Sequence, residues 1–316
     1  MNSLRRGWTG EDVKTLQRAL EGAGSYRGPV DGVFGGGTES AVRAFQASKG
    51  LTADGVVGEA TWKALTPAAQ VGNDMVTKPL AYRCLALTGT FETGTPPPDC
   101  FAGISGDFNG QGLSFGVCQW NIGQGSLQSL LLKMAKDHPA IMSTVFGKRL
   151  PELEAVLADP DRADQLAWVR SIQDPRCRFF EPWAGYFKAL GRTDEFQQIE
   201  QNAAAGLFAA ALQLCRDYGL KTERAVALMF DIKTQNGSIR DVTKAQIVRD
   251  FEKAVTEVDL LKIVANRRAD AAKPQWAEDV RRRKLAIANG GGTVHGKHLD
   301  LEAQFGIRLQ TAVELT

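Results

Sequence analysis

Apolar positions recur with two rhythms along the chain, and the changes between them mark its parts. Val13, Leu16 and Leu20 lie at helical spacing, with Thr9 before them as a cap and Gly22 and Gly24 after them. Ala41, Val42 and Phe45 form a second helical face, opened by Thr38 and closed by Gly50, and Trp62 and Leu65 form a shorter third, opened by Thr61. Three short helices therefore share one small core. From 66 to 77 the period is lost, and Pro67, Ala68, Ala69, Gly72 and Asn73 read as a linker. At Lys78 a new helix begins, with Pro79 suited to its first turn and Leu80, Cys84, Leu85 and Leu87 on its buried side. Between Phe101 and Gly125, glycines at 103, 106, 110, 112, 116, 123 and 125 separate short β-prone pieces, the spacing of a small twisted hairpin. Helical periodicity then returns at Ser126 to Met134 and near 149–158, 161–172, 193–218, 221–232, 243–255, 258–272 and 276–288. The expected architecture is mainly α: a three-helix domain at 1–68, a linker at 69–77, and an α+β domain with a small β-hairpin at 78–316.

Composition changes this picture little. A chain of 316 residues suits two domains at roughly 100–200 residues each. A net charge of +2 is too small to point to nucleic acid, and none is expected as a partner. Locally, Arg267, Arg268, Lys273, Arg281, Arg282, Arg283 and Lys284 outnumber their acids and could face an anionic polymer, although a solvated helix face is the commoner meaning of such a run. Five cysteines without a C-x-x-C pair argue against a disulfide framework and for synthesis in a reducing compartment. The first residues carry Arg5 and Arg6 but no apolar run, so the expectation is synthesis in a bacterial cytoplasm without a secretory signal. The most apolar stretch, Ala203 to Leu212, falls short of the roughly 20 residues that span a bilayer and reads as a buried core helix, so no membrane insertion is expected. The protein is expected to be a monomer.

Self-similarity is the strongest signal in the first part. Asp31-Gly32-Val33-Phe34-Gly35-Gly36-Gly37-Thr38 recurs as Asp54-Gly55-Val56-Val57-Gly58-Glu59-Ala60-Thr61, both reading D-G-x-x-G-x-x-T. Each copy supplies a tight Asp-Gly turn and then a helix start. With L-x-x-G at Leu4 to Gly7, L-Q-x-x-L at Leu16 to Leu20 and A-V-x-x-F-Q at Ala41 to Gln46, residues 4–66 resemble the three-helix peptidoglycan-binding domain appended to many cell-wall hydrolases. The resemblance implies binding of bacterial peptidoglycan in a shallow groove, with Tyr26, Phe34 and Arg43 as candidate contacts.

The second part carries the candidate chemistry. Glu92 ends the helix that begins after Lys78, beside Phe91 and ahead of Pro96-Pro97-Pro98, where apolar surroundings would disfavour its charged form and suit it to act as a general acid. Asp107 follows in the glycine-rich stretch, and Ser114-Phe115-Gly116-Val117-Cys118-Gln119-Trp120-Asn121 leads into the next helix. Two carboxylates on a helix end and a facing hairpin are the layout of a glycosidase. Glu92 followed by S-F-G-V-C-Q resembles the catalytic glutamate and S-x-G-L-M-Q strand of goose-type lysozymes and soluble lytic transglycosylases. Gly106-Asp107 through Ser114-Phe115-Gly116 resembles the hairpin of the related chitosanases, with two more residues between Asp107 and Ser114. The resemblance implies a lysozyme-like domain with Glu92 as acid, Asp107 as base and Ser114 positioning water.

Gln119, Trp120 and Asn121, together with the amides Gln235 and Asn236 at the end of an apolar helix, are candidate substrate contacts; Trp183 could stack on a sugar. Cys118 reads as a buried hydrophobe within an apolar strand. Asn289 to Gly296 reads as a loop able to close over a cleft, and His295-x-x-His298 is a weak zinc signal. No metal or cofactor is expected. The resulting expectation is a modular, phage-type endolysin with muramidase (lysozyme) activity that reaches the wall after holin-type release. Lytic transglycosylase action by Glu92 alone, a zinc amidase and a non-catalytic wall-binding factor are the alternatives.

Overall fold

The computed structural model describes residues 4–65 and 75–314, so most of the expected linker, 69–74, lies outside the described residues; Met75 to Thr77 are helical. The fold is mainly α, with small antiparallel strand pairs. The chain divides into two compact units, Met1–Val71 and Gly72–Thr316.

In the first unit, α1 (Glu11–Gly22), α2 (Gly36–Ser48) and α3 (Glu59–Leu65) enclose a core that includes Leu16, Leu20, Phe34, Val42, Phe45 and Trp62. The threonines expected as caps have other tasks. Gly10 and Gly35 are the N-caps of α1 and α2, and neither end has a side-chain cap. Each repeat is instead latched by a buried glutamine from the preceding helix. The Gln17 amide donates to Asp31 Oδ1 at 2.8 Å and to Thr38 Oγ1 at 3.2 Å, while its Oε1 accepts from Gly32 N–H at 2.9 Å. Gln46 repeats this on the second copy, donating to Asp54 Oδ1 at 2.8 Å and Thr61 Oγ1 at 3.0 Å and accepting from Gly55 N–H at 2.9 Å. The Asp-Gly turn and the threonine thus close one hydrogen-bonded ring around a side chain that would otherwise be buried unpaired.

The second unit opens with α4 (Leu80–Thr93), buried on every side from Tyr82 to Phe91, and ended by Gly94 in the left-handed conformation. A 3-10 turn at Asp99–Ala102 leads to β1 (Ile104–Ser105), β2 (Ser114–Phe115) and β3 (Trp120–Asn121), one antiparallel sheet in which Ser114 faces both Ser105 and Asn121. Then follow α5 (Ser126–Asp137), α6 (Pro139–Phe146), α7 (Leu150–Ala158), α8 (Arg162–Ser171), α9 (Trp183–Gly191) and α10 (Asp194–Ala203). The sheet and these helices pack around Phe115, Phe146, Trp183, Phe187 and Phe196. The remaining elements are α11 (Ala205–Tyr218), α12 (Glu223–Asn236), α13 (Asp241–Phe251), α14 (Glu257–Asp270), α15 (Pro274–Asn289), the hairpin β4 (Gly291–Val294) and β5 (Lys297–Asp300), and α16 (Leu301–Phe305). With α4 they surround a second core, and Trp120 packs against both cores.

Several sequence-based expectations change. Helices α6 and α9 carried no recognised pattern, and 193–218 breaks at Ala204 into α10 and α11. In α11 only Ala211, Cys215 and Tyr218 are buried, so its apolar run is one packed stripe and not a core helix. Residues 291–300 are a paired hairpin, not an open loop, and His295 at its turn bonds Asp279 Oδ1 at 2.6 Å. Cys118 sits in the turn between β2 and β3, and Trp183 is core. Among the described residues no group of three potential ligands could hold a metal, and no helix is long and apolar enough to cross a membrane.

Replacing Gln46 by alanine leaves Asp54, Gly55 N–H and Thr61 without their shared partner. An earlier first transition in denaturant melts of the full chain, by about 1–3 kcal/mol, is the expected result; an unchanged transition would show that the latch is dispensable.

Candidate functional site

Glu92 is the penultimate residue of α4. Its side chain is 32% exposed and lines a cleft of about 280 Å³, bounded also by Thr95, Asp99, Ser105, Gln119, Lys188 and Arg192. The cleft thus joins the end of α4 to the sheet and α9. Close packing makes this junction possible: a Cβ on Gly89 would lie 2.1 Å from Val117, and one on Gly103 would lie 2.2 Å from Thr93.

The surroundings of Glu92 are not the apolar wall expected from sequence. Arg283 Nη1 donates to its Oε1 at 2.8 Å, and the same guanidinium lies over the Phe91 ring at 4.5 Å. Behind it, Arg283 Nη2 donates to Asp231 Oδ1 at 2.6 Å and Nε at 3.1 Å, while Lys284 bonds Asp231 and donates to Gln235 Oε1 at 2.7 Å. Thr88 Oγ1 adds a bond to Asp231 at 3.2 Å. Asp231, Arg283 and Lys284 are almost wholly buried, so each charge depends on the others for solvation. Burial alone would raise the Asp231 carboxyl, but Arg283 and Lys284 outweigh it and hold it down at about 2. Burial lowers Lys284 to about 8 against the pull of Asp231, so the pair is ionised at neutral pH. Two carboxylates and two cations alternate from the cleft inward, and their bonds fix where Glu92 points.

Sequence reasoning missed this chain of charges. Its signal was present: Asp231 stands inside the apolar run Met229-Phe230-Asp231-Ile232, where a lone carboxylate needs a buried partner. Arg283 and Lys284 were placed in a run read as a solvated face, yet both are buried.

The other candidates separate. Gln119 enters the cleft with a left-handed backbone, φ 54°; its Oε1 accepts from Ser105 Oγ at 2.8 Å and its amide donates to Gly116 O at 2.8 Å. Asp107 is not among the cleft-lining residues. Its Oδ1 accepts from Gly112 N–H at 2.9 Å and its Oδ2 pairs with Arg170 at 3.2 Å, with the side chain 7% exposed, so in this conformation it holds a turn. Ser114 lies on the middle strand outside the cleft lining. Asn121 is buried and accepts from Gln124 N–H at 2.8 Å, Trp120 fills the seam between the cores, Gln235 holds Lys284, and Asn236 lines a different cavity. Glu200 was not foreseen: wholly buried, it accepts from Val117 N–H at 2.8 Å, and burial raises its carboxyl far above the usual range. A buried carboxyl therefore underpins the turn that presents Gln119.

In the first unit, a groove of about 530 Å³ runs along Tyr26, Arg27, Pro29, Val33, Thr38 and Ala41. Of the proposed contacts, Tyr26 lines it; Phe34 is core, and Arg43 lies outside it, donating to Ala53 O at 2.6 Å. Residues 9–65 match a family model described as "Putative peptidoglycan binding domain". The N-terminal unit carries that domain. The chain is thus modular, the peptidoglycan-binding domain preceding a larger, mainly α unit.

The spore cortex-lytic enzyme of Bacillus cereus is 39% identical over 94 residues, 30% of this chain and 36% of that protein. The N-acetylmuramoyl-L-alanine amidase CwlM of Mycobacterium tuberculosis is 46% identical over 56 residues, 18% of this chain and 14% of that protein. The chain spans about a third of the length of the first relative and less of the second. Among solved structures, a Gynuella sunshinyii GH46 chitosanase in complex with chitotetraose is similar over 71% of this chain and 97% of its own, at 15% identity and a TM-score of 0.44, too low to carry the second unit's fold by itself.

Folding moves the Asp231 carboxyl down from 3.8 to about 2, so its contribution to stability is complete above about pH 4 and is lost as pH falls through about 2. Denaturant melts across that range should show the loss. Arg283→Met, which breaks the buried bidentate pair and leaves Asp231 to Lys284 and Thr88, should lower stability by about 3–5 kcal/mol; an unaltered melt would remove the ion chain's role.

Proposed function

We propose that the chain is a cell-wall-degrading enzyme that cleaves the glycan strands of bacterial peptidoglycan, with Glu92 as the general acid. The observation that carries this reading is an open-cleft carboxylate held by a buried, self-compensated ion chain, on the same polypeptide as a peptidoglycan-binding domain. A surface glutamate needs no such support; a proton donor, which must meet a glycosidic oxygen within hydrogen-bond reach, does. With Glu92 protonated, its proton passes to the bridging oxygen as the glycosidic C–O bond breaks; the leaving sugar departs as an alcohol, and Glu92 is left as a carboxylate held by Arg283.

Two outcomes follow for the sugar cation. In the muramidase reading, Asp107 activates water, with Ser114 positioning it, and the product is a reducing muramic acid end. In the lytic transglycosylase reading, Glu92 works alone, the muramic acid 6-hydroxyl is the nucleophile, and the product is a 1,6-anhydro sugar. Engagement of both Asp107 oxygens by Gly112 and Arg170 favours the second, because the base must be released before it can meet water.

Glu92→Gln is expected to abolish clearing of purified walls while leaving wall binding intact, and clearing by this variant refutes the acid assignment. Mass analysis of the released saccharides distinguishes hydrolysis from anhydro-sugar formation, and release of peptides alone would refute both. Deleting residues 1–68 should weaken sedimentation with walls far more than turnover of soluble glycan fragments; undiminished sedimentation would remove the role of the first unit.

A further inference from the structure

The basic run sorts into two groups once its partners are known. Arg267 pairs with Asp250, Arg281 with Asp270, Arg282 with Glu278, and Arg283 and Lys284 with Asp231. Arg268, next to Arg267, has no ion pair or hydrogen bond among the described residues, and its Nε is buried. Burial, then the charge of nearby Arg240, disfavours its protonated form. A half-buried guanidinium without an acceptor is costly, and folded chains normally supply a carboxylate or carbonyl for it.

Here the missing acceptor coincides with a cavity. Arg268 lines a space of about 450 Å³ together with Asn236, Ser238, Arg240, Thr243 and Lys273, and no carboxylate is among its described lining residues. Lys273 also has no ion pair among the described residues, and Arg240 makes only a long bond, 3.4 Å, to Ala271 O. Arg240 is the N-cap of α13, whose end has no side-chain cap; Asp241, which follows, is exposed and outside the lining.

We infer that this cavity binds a phosphate group. Three cations surround it, while a carboxylate would bring one charge and two coplanar oxygens. A phosphate brings up to about two charges and several outward oxygens, which suit two guanidinium forks and an ammonium. The space exceeds one phosphate, so the group belongs to a larger body, and a phosphate-bearing polymer fits better than the free ion. Phosphate binding here is independent of glycan cleavage at Glu92.

Calorimetric titration of the full chain with inorganic phosphate, with poly(glycerol phosphate) and with acetate tests the assignment. Phosphate should bind and acetate should not, and Arg268→Ala should weaken binding on the order of tenfold or more. Lys273→Glu, at an exposed position that leaves the fold intact, reverses one charge and should weaken it as well. No phosphate binding, equal binding of acetate, or binding undiminished in Lys273→Glu overturns the inference. Tighter binding per phosphate by the polymer than by the free ion identifies the polymer as the source; equal affinity identifies the free ion.

Discussion

Asp231 is the residue on which the candidate site depends. A carboxylate with no exposure to water is tolerated only because two cations one residue apart on α15 converge on it. Arg283 can then spend its remaining nitrogen on Glu92, and the helix that ends at Glu92 is tied to α12 and α15 through one continuous set of bonds. Removing Asp231 leaves Arg283 and Lys284 buried side by side, with Glu92 at the cleft as the remaining counter-charge of the chain. The fixed position of Glu92 and the stability of the second core are therefore one property.

The opposite wall rests on small residues and a buried carboxyl. Gly89, Gly103 and Gly116 let the β2–β3 turn approach α4 and Glu200 more closely than any side chain would permit, since a Cβ at Gly116 would meet Glu200 Oε1 at 2.0 Å. Glu200 satisfies the Val117 N–H that this close packing buries. Two buried carboxyls, Asp231 with its cations and Glu200 with a backbone N–H, thus hold the two sides of one cleft. The first unit solves its own turn problem with uncharged amides, Gln17 and Gln46, used twice in the same way.

Legibility varied with the range of the interactions involved. The modular character, the helical class and the repeat could be read from periods and motifs, which are local. Helices α6 and α9 were missed because their buried faces, such as Met142 and Phe146 or Trp183, Phe187 and Leu190, are short and answer to a shared core. Glu92 and Gln119, which line the cleft, were marked out by their neighbours in sequence. The basic run was legible as charge but not as two classes of cation, because a partner such as Asp231 lies 52 residues away from Arg283.

By itself, then, the sequence determined a repeated Asp-Gly turn leading into a helix, a glutamate placed at a helix end by the glycine and prolines behind it, and a glycine-rich hairpin able to approach it. Backbone conformation and apolar rhythm act over a few residues, so they are written in consecutive letters. Only the tertiary structure decided that Glu92 faces a guanidinium, that Asp107 is held in a turn, and that Arg268 lacks a counter-charge. Those outcomes depend on which distant side chains share a low-dielectric interior, and burial sets the strength of every charge interaction there.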